Sequence, residues 1–460
     1  MIKSFAIKQL MSYLDADPEK NIPKALKWTE TFVPNIEKNT GYQQVKEIAM
    51  DPSSNWYQFV LGLWNDLDKD VKKTLVVNTF LNSYLKWEAK RDDGPNKYGC
   101  SIPWAILMDP TSACNLKCTG CWAAEYGNKL NLDFETLDSI VEQGKKLGIY
   151  AYIFSGGEPL VAKDRVLKLC KKHDDCVFLA FTNGTLIDEE FADKMLEVKN
   201  FIPAISVEGF EEATDSRRGK GTFEKVVRAM DILREKKLLF GVSCCYTSQN
   251  IDSLSSEEYF DWIIEKGAKF AWFFTYMPIG VNSPTDLMVS PEQRKQMYKA
   301  IRKFRDTKPL FTMDFWNDGE YVKGCIAGGR NYMHINANGD VEPCAFIHYS
   351  TANIKEKTLL ECLQSDLFKE YQKEQPFNNN HLRPCPLLDN PEKLKKMVDA
   401  SNAYSTDLAD REDVNDLVEK TKPVSVKWAP VADELWEERQ KEIKYWKDKK
   451  KEQQELQANK

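Results

Sequence analysis

Between Pro103 and about residue 310, short apolar runs alternate with amphipathic stretches, and this rhythm limits the fold more than any other feature of the chain. The strand-like runs are 104–108, 150–154, 177–181, 202–207, 239–246 and 270–276. Helix-like stretches lie near 134–147, 162–173, 188–198, 221–237, 257–266 and 290–306. Such alternation predicts parallel strands joined by right-handed crossovers. Six units are too few for a closed eight-stranded barrel. The expected fold class is therefore α/β, a partial (β/α)6 TIM-like barrel with its chemistry at the carboxyl ends of the strands.

Both flanks read differently. Residues 1–98 form a helical N-terminal region. Segment 54–70 places Trp56, Phe59, Val60, Leu63, Trp64 and Leu67 at helical spacing, and 72–90 carries Val76, Phe80, Tyr84 and Trp87 on a second face. Asp93-Gly94-Pro95 reads as a linker to the barrel, 99–310. In 311–392 the alternation stops, and Cys325, Cys344, Cys362 and Cys385 stand among turn-forming residues. The segment 393–460 reads as a helical, charged tail. From about 431 it is one exposed helix with Leu435, Trp436, Ile443 and Trp446 as a thin apolar contact.

The 460 residues allow two or three domains, or one barrel with additions, and a 42% hydrophobic content supplies a large core. A net charge of −6 argues against a protein built to coat nucleic acid. No run approaches the roughly 18–20 apolar residues of a membrane-spanning helix. The N-terminal stretch has no signal-peptide pattern, so the expected location is the cytoplasm, peripheral contact with a membrane surface remaining open. In a reducing compartment, grouped cysteines read as metal ligands or redox centres. Of the twelve cysteines, Cys170, Cys176, Cys244 and Cys245 lie in helix-like or strand-like runs and read as small buried apolar residues.

Cys114-Asn-Leu-Lys-Cys118-Thr-Gly-Cys121 directly follows the first predicted strand. Three thiolates on one loop can each take a corner of a cubic [4Fe–4S] cluster and leave the fourth iron open. A structural zinc site is the competing reading, but such sites usually close all four positions, and none of the four histidines is near. Ser155-Gly156-Gly157-Glu158-Pro159 follows the second strand. Its glycines allow close backbone approach and Glu158 offers a carboxylate to an ammonium, though by itself the segment is an ordinary turn.

With these motifs the sequence resembles the radical S-adenosylmethionine (SAM) superfamily over roughly residues 100–390. Its CxxxCxxC signature is matched by Cys114, Cys118 and Cys121, and its GGEP element by Gly156, Gly157, Glu158 and Pro159. The resemblance implies a catalytic [4Fe–4S] cluster whose open iron binds SAM. It implies reductive cleavage of SAM to a 5′-deoxyadenosyl radical, and hydrogen abstraction from an unactivated C–H bond. It assigns the methionyl amino group to Gly156–Pro159 and matches Asn183 to a TNG element. Ser206 and Glu208 become ribose contacts. Arg218, in a DxxRG-like element, becomes a partner of the SAM carboxylate, against the plainer reading of a surface arginine after a capping Asp215. The backbone of 276–280 is assigned to adenine. One position departs: relatives usually carry an aromatic residue before the third cysteine, where this chain has Gly120, with Trp122 after it.

Cys325, a gap, and then Gly339-Asp-Val-Glu-Pro343-Cys344 resemble the opening of a SPASM-type auxiliary-cluster domain. Asn338-Gly339 predicts a hairpin turn that brings Cys325 and Cys344 together. The usual run of closely spaced cysteines is missing. The implied domain is shortened, with one auxiliary [4Fe–4S] cluster on Cys325, Cys344 and Cys385, and Cys362 in reserve as a fourth ligand.

Peptide or protein modification is the first expectation, as in ribosomal-peptide and sulfatase maturases. The helical, aromatic N-terminal region does not resemble the winged-helix module of many peptide maturases. The alternative is chemistry on a lipid hydrocarbon chain at a membrane surface, suggested by the two aromatic faces. A non-enzymatic electron carrier is the third reading, and the GGEP-like element argues against it. Expected partners are a reductant such as ferredoxin or flavodoxin and a peptide or lipid substrate, with no nucleic acid. Oxygen sensitivity is expected.

Overall fold

A computed structural model describes residues 11, 13–24, 50–91 and 94–458. All six strand-like runs form strands: β1 (Ala105–Met108), β2 (Ala151–Phe154), β3 (Val177–Thr182), β4 (Phe201–Ser206), β5 (Gly241–Tyr246) and β6 (Phe270–Thr275). A seventh, β7 (Phe311–Asp314), follows the last crossover helix. Each strand pairs in parallel with the next, Leu107 opposite Ile153 and Ala180 opposite Pro203, for example. On the far side of β1 the sheet gains β8 (Tyr332–Ile335), also parallel, and β9 (Val341–Glu342), antiparallel to β8. The order is β7-β6-β5-β4-β3-β2-β1-β8-β9. The chain after residue 310 thus re-enters the barrel sheet at both edges, where the sequence rhythm indicates departure. Of these, β9 has only two residues, too short for a periodic signal.

The crossover helices cover the outer face: α4 (Phe134–Leu147), α5 (Lys163–Lys172), α6 (Glu189–Val198), α7 (Glu211–Arg218), α8 (Thr222–Glu235), α9 (Glu257–Glu265) and α10 (Pro291–Thr307), numbered after the three N-terminal helices given below. Their starts are written in the sequence. Asp133, Asp188, Ser256 and Ser290 each accept a backbone N–H of the first turn, and Ser290 with Gln293 completes a capping box. Strand burial follows the two-residue period. On β3, β5 and β6 the outward positions, such as Phe178, Val242 and Phe273, are fully buried under helices. The alternate positions, Phe181, Cys245, Trp272 and Phe274, are half-buried and face the barrel interior.

Residues 13–16 and 18–24 are helical, and α1 (Asn55–Asp66), α2 (Lys69–Val76) and α3 (Lys86–Arg91) follow, with a π-helical segment Val77–Leu85 before α3. Their aromatic faces turn largely inward. Trp56 stands edge-on to Phe311 at 6.3 Å, Val60 and Trp64 pack on Leu14 and Ile22, and Leu67, Val71 and Leu75 are buried. Trp87 donates its indole N–H to Ile102 O at 2.9 Å. Val76 and Tyr84 stay exposed, and the side chain of Phe80 lies outside the described residues. The predicted linker is not one. Gly94 is buried in a π-helical turn, Gly94–Tyr98, with space for no Cβ against Cys100 O, while Asp93 lies outside the described residues. Among the described residues no helix is long and apolar enough to cross a membrane.

The C-terminal part contributes α11 (Leu359–Leu363), α12 (Asp366–Glu374), α13 (Pro391–Ser401) and α14 (Val414–Ala458). The last starts earlier than the tail composition indicates. Its first half is anchored by Trp428, Ala432 and Leu435 on Tyr298 and Leu382, whereas Trp446 is 65% exposed.

Candidate functional site

The loop after β1 carries Cys114, Cys118 and Cys121, and its backbone is fixed from three sides. Ser112 N donates to Leu130 O at 3.0 Å, and Leu130 N to Ser112 Oγ at 3.0 Å. Thr119 N donates to Arg217 O at 2.9 Å. From β2, Gly157 N reaches Thr111 O at 3.0 Å and Glu158 N reaches Ala113 O at 2.8 Å. This apposition needs both glycines. Gly156 has φ +102, and a Cβ there would stand 2.4 Å from Thr111 O. A Cβ on Gly157 would stand 2.3 Å from Ala113 O. Gly157→Ala is therefore expected to cost about 1–3 kcal/mol of stability and to displace the cysteine loop. Thermal melting and iron content after reconstitution check this together; full iron retention would refute it.

Glu158 is 1% exposed. Its carboxylate accepts from Leu160 N, Thr182 Oγ1 and Asn183 N at 3.0, 2.6 and 2.6 Å. Burial raises its pKa, against the pull of these donors. This carboxylate lines the first cavity and ties the second loop to the third. Asn183 passes the tie on to the cysteine loop, donating to Asn115 Oδ1 at 2.9 Å and lying 4.0 Å from Cys114 Sγ.

Glu208 departs from expectation. It is fully buried and clamped by Arg217 Nη1 at 2.6 Å and Arg218 Nε at 2.9 Å, with Cys245 N on its other oxygen at 3.0 Å. Burial alone would raise its pKa, but the two guanidiniums outweigh burial and hold it low. A ribose hydroxyl has no claim on this carboxylate. Arg218 likewise spends itself on Glu208, while its Nη1 lies 3.9 Å from Cys118 Sγ. Two guanidiniums against one carboxylate leave one surplus positive charge beside the cysteine loop. Ser206 lines the same cavity, as do Arg217 and Cys245. The last two were missed in the sequence. Cys245 was legible from the two-residue period of β5, which places it with Ser243 on the inner face.

These groups form the polar end of a cavity of about 490 Å³. Its other end is walled by Trp87, Phe181, Trp272, Phe274, Phe315 and Phe346. Thus α3 and the π-helical segment, through Trp87 and Tyr84, close one side of the chamber. Trp122 packs edge-on to His334, Phe346 and His348, at 5.7–6.0 Å. A second cavity of about 450 Å³ holds Cys325, Cys344 and Cys385 and shares Trp272, Met313, Phe315 and Phe346 with the first. The hairpin β8–β9 turns at Gly339 and leads into Cys344. Cys362 is not with them: it is fully buried in α11 as a core residue and does not line that cavity.

The donor sets suit iron–sulfur clusters. Burial pushes the Cys325 thiol up to about 11 and Cys385 to about 12, so these thiols keep their protons until a metal replaces them. Among the described residues only Asp138, Glu142 and His173 bring three ligand atoms within 4.8 Å of one another. Tetrahedral zinc at about 2.3 Å per sulfur needs closer thiols than these loops provide; a cube spreads them. The surplus arginine charge beside Cys118 suits an anionic thiolate-bound cluster.

The family description "radical SAM superfamily" matches residues 108–255, and the SPASM "iron-sulfur cluster-binding domain" matches residues 325–386. The chain is 31% identical over 316 residues to the cysteine-type anaerobic sulfatase-maturating enzyme of Clostridium perfringens, covering 59% of this chain and 83% of the relative. It is 28% identical over 319 residues to the Fe-coproporphyrin III synthase of Methanosarcina barkeri, covering 61% of this chain and 79% of the relative. The crystal structure of Streptococcus suis SuiB superposes with a TM-score of 0.53 at 18% identity, covering 62% of this chain and 71% of the other, a likeness of fold.

Proposed function

We propose a reaction from one premise: the chain belongs to the radical SAM superfamily, carries a SPASM iron–sulfur domain, and is an enzyme with [4Fe–4S] and SAM cofactors. In this reading Cys114, Cys118 and Cys121 hold the catalytic cluster. Cys325, Cys344 and Cys385 hold an auxiliary one with an open fourth position. SAM lies at the polar end of the first chamber, against Gly156, Gly157, Asn183 and Ser206. When bound, these groups supply a 5′-deoxyadenosyl radical that removes a hydrogen atom from the substrate. Arg217 and Arg218 offset the thiolate charge, Glu208 orients both arginines, and the buried Trp87 walls one side of the chamber. A ferredoxin or flavodoxin delivers the electron.

The relatives divide over substrate. One is named for sulfatase maturation and another for Fe-coproporphyrin III synthesis. The substrate reading therefore rests on the chamber. Its aromatic end offers few polar atoms, and the adjoining second cavity extends the same apolar wall. A peptide backbone carries an N–H and a C=O at nearly every residue, each costing a few kcal/mol if buried without a partner. A hydrocarbon chain carries none. C–H activation on a lipid-type hydrocarbon chain is the reading this carries. Modification of an apolar peptide side chain is the second reading, favoured by the sulfatase-maturating relative and by a SuiB structure bound to its precursor peptide.

Cells grown in deuterated medium provide the test. Their lipid and protein fractions are offered separately to the reconstituted enzyme with SAM and dithionite. Deuterium in 5′-deoxyadenosine is expected from the lipid fraction. Transfer from the protein fraction alone would overturn the hydrocarbon reading. An absence of 5′-deoxyadenosine with both clusters intact would overturn the enzymatic one.

A further inference from the structure

Tyr371, on α12, is fully buried, and its hydroxyl has no hydrogen-bond partner. The ring is fixed on two sides. Gly328, at φ +65, lies so close that a Cβ there would stand 2.7 Å from Tyr371 Cδ1, and Phe377 meets the ring edge-on at 5.4 Å. One helical turn on, Gln375 donates to Cys325 O at 3.3 Å and to Ala327 O at 2.9 Å. The end of α12 is thereby tied to the loop that carries Cys325. Held this way, Tyr371 lines the second cavity together with Cys325, Cys344 and Cys385. Burial dominates the surroundings of its hydroxyl, and the charges that bear on it are those of these three thiols. Packing alone would be served as well by phenylalanine, because a buried hydroxyl left unpaired costs free energy. Backbone donors already converge on the same sulfurs. Ala327 N lies 3.5 Å from Cys325 Sγ, and Leu387 N and Leu388 N lie 3.4 and 3.5 Å from Cys385 Sγ.

We propose that Tyr371 donates a hydrogen bond to a sulfur of the auxiliary cluster and raises its reduction potential. The inference rests on the placement of that cluster on Cys325, Cys344 and Cys385. A phenol keeps its proton at neutral pH and has one O–H to give. The sulfurs of a thiolate-bound cluster are anionic acceptors, and an added electron increases their charge. A donor therefore holds the reduced cluster more tightly than the oxidised one, and the potential rises. The backbone amides act in the same direction. Tyr371 adds a side-chain donor that a single substitution removes, and it makes the cluster a better electron acceptor.

Tyr371→Phe tests this, because it keeps the ring against Gly328 and Phe377 and removes only the hydroxyl. It is made in a Cys118→Ser background, so that the auxiliary cluster is titrated alone. Reduction is followed by EPR against poised mediators at neutral pH. The variant is expected to keep the iron content of its background. Its reduction equilibrium is expected to weaken about three- to tenfold, which lowers the midpoint by about 30–60 mV for one electron. In D2O, electron–nuclear double resonance of the reduced cluster is expected to show one coupled deuteron fewer in the variant. An unchanged midpoint, or an unchanged set of deuterons, overturns the proposal. Loss of iron from Tyr371→Phe overturns it too, because the hydroxyl would then be needed to hold the cluster rather than to tune it. If the Cys118→Ser background holds no cluster, or if its iron survives Cys325→Ser, the auxiliary-site reading fails instead, so the two failures are distinguishable.

Discussion

Serine at Cys114, Cys118 or Cys121 is expected to remove one cluster and reduce 5′-deoxyadenosine formation to background, with iron falling from about eight to about four per chain. Serine at Cys325, Cys344 or Cys385 should remove a similar amount of iron yet leave SAM cleavage measurable. The two cavities share a wall but not their thiols. Cys362→Ser is the decisive control. Its thiol is fully buried among apolar side chains of α11. An unpartnered hydroxyl in its place is expected to cost about 1–3 kcal/mol of stability and no iron. Iron analysis, visible absorbance and product chromatography on the seven variants separate the cases. Loss of iron from Cys362→Ser would show that the auxiliary set is wrongly drawn. Full activity in Cys118→Ser would end the catalytic assignment.

How far the site can be read from sequence depends on whether a residue acts through its neighbours in the chain or across the fold. The β1–β6 strands and the cysteine loop are local: an apolar run, then three thiols at short spacing. The capped helices between them are equally local. Glu208 and Glu158 are not. A carboxylate at the end of a barrel strand looks the same in sequence whether it faces a ligand or a pair of arginines nine and ten residues on. Here α7 folds back and turns both arginines onto Glu208. Gly120, where a Cβ would stand 2.5 Å from Tyr276 Cε2, belongs to the same class. The missing side chain at 120 is visible in sequence, but its cause lies 156 residues away, in how β6 ends against the loop. β8 was invisible as a barrel strand because its partner, β1, precedes it by more than 200 residues.

His334→Gln is expected to destabilise the protein by about 3–5 kcal/mol and to remove most of its stability change between pH 7 and 10. His334 is fully buried on β8, with Nδ1 2.6 Å from Glu342 Oε2 and Nε2 3.0 Å from Asp109 Oδ2. Burial opposes its charge, yet the two carboxylates outweigh burial and raise its pKa from 6.5 to about 10. A raised folded-state value means that the folded protein holds this proton more tightly than the unfolded chain. The resulting stability is fully present below about pH 6.5 and is lost as pH climbs through about 10. Burial raises the Asp109 carboxyl in the same cluster, which adds a loss of the same sign as pH rises. Glutamine leaves Asp109 and Glu342 facing each other without the cation. Glu342 has further donors in Tyr126 Oη at 2.8 Å, Asn336 Nδ2 at 3.0 Å and Thr406 Oγ1 at 2.5 Å. Asp109 has His334 Nε2 as its ion-pair partner, at Oδ2, and no other side chain on either oxygen among the described residues. It also begins the cysteine loop, where its side chain presses on the Gly156 position. The strain of the substitution should therefore appear at the catalytic cluster as well as in the melting curve. Urea unfolding at pH 7 and pH 10 gives the stability pattern, and iron content gives the coupling. Adding Glu342→Gln should restore part of the lost stability by removing one of the two uncompensated charges. If the single variant keeps the parent's pH dependence, the buried imidazolium is not what locks the hairpin to β1.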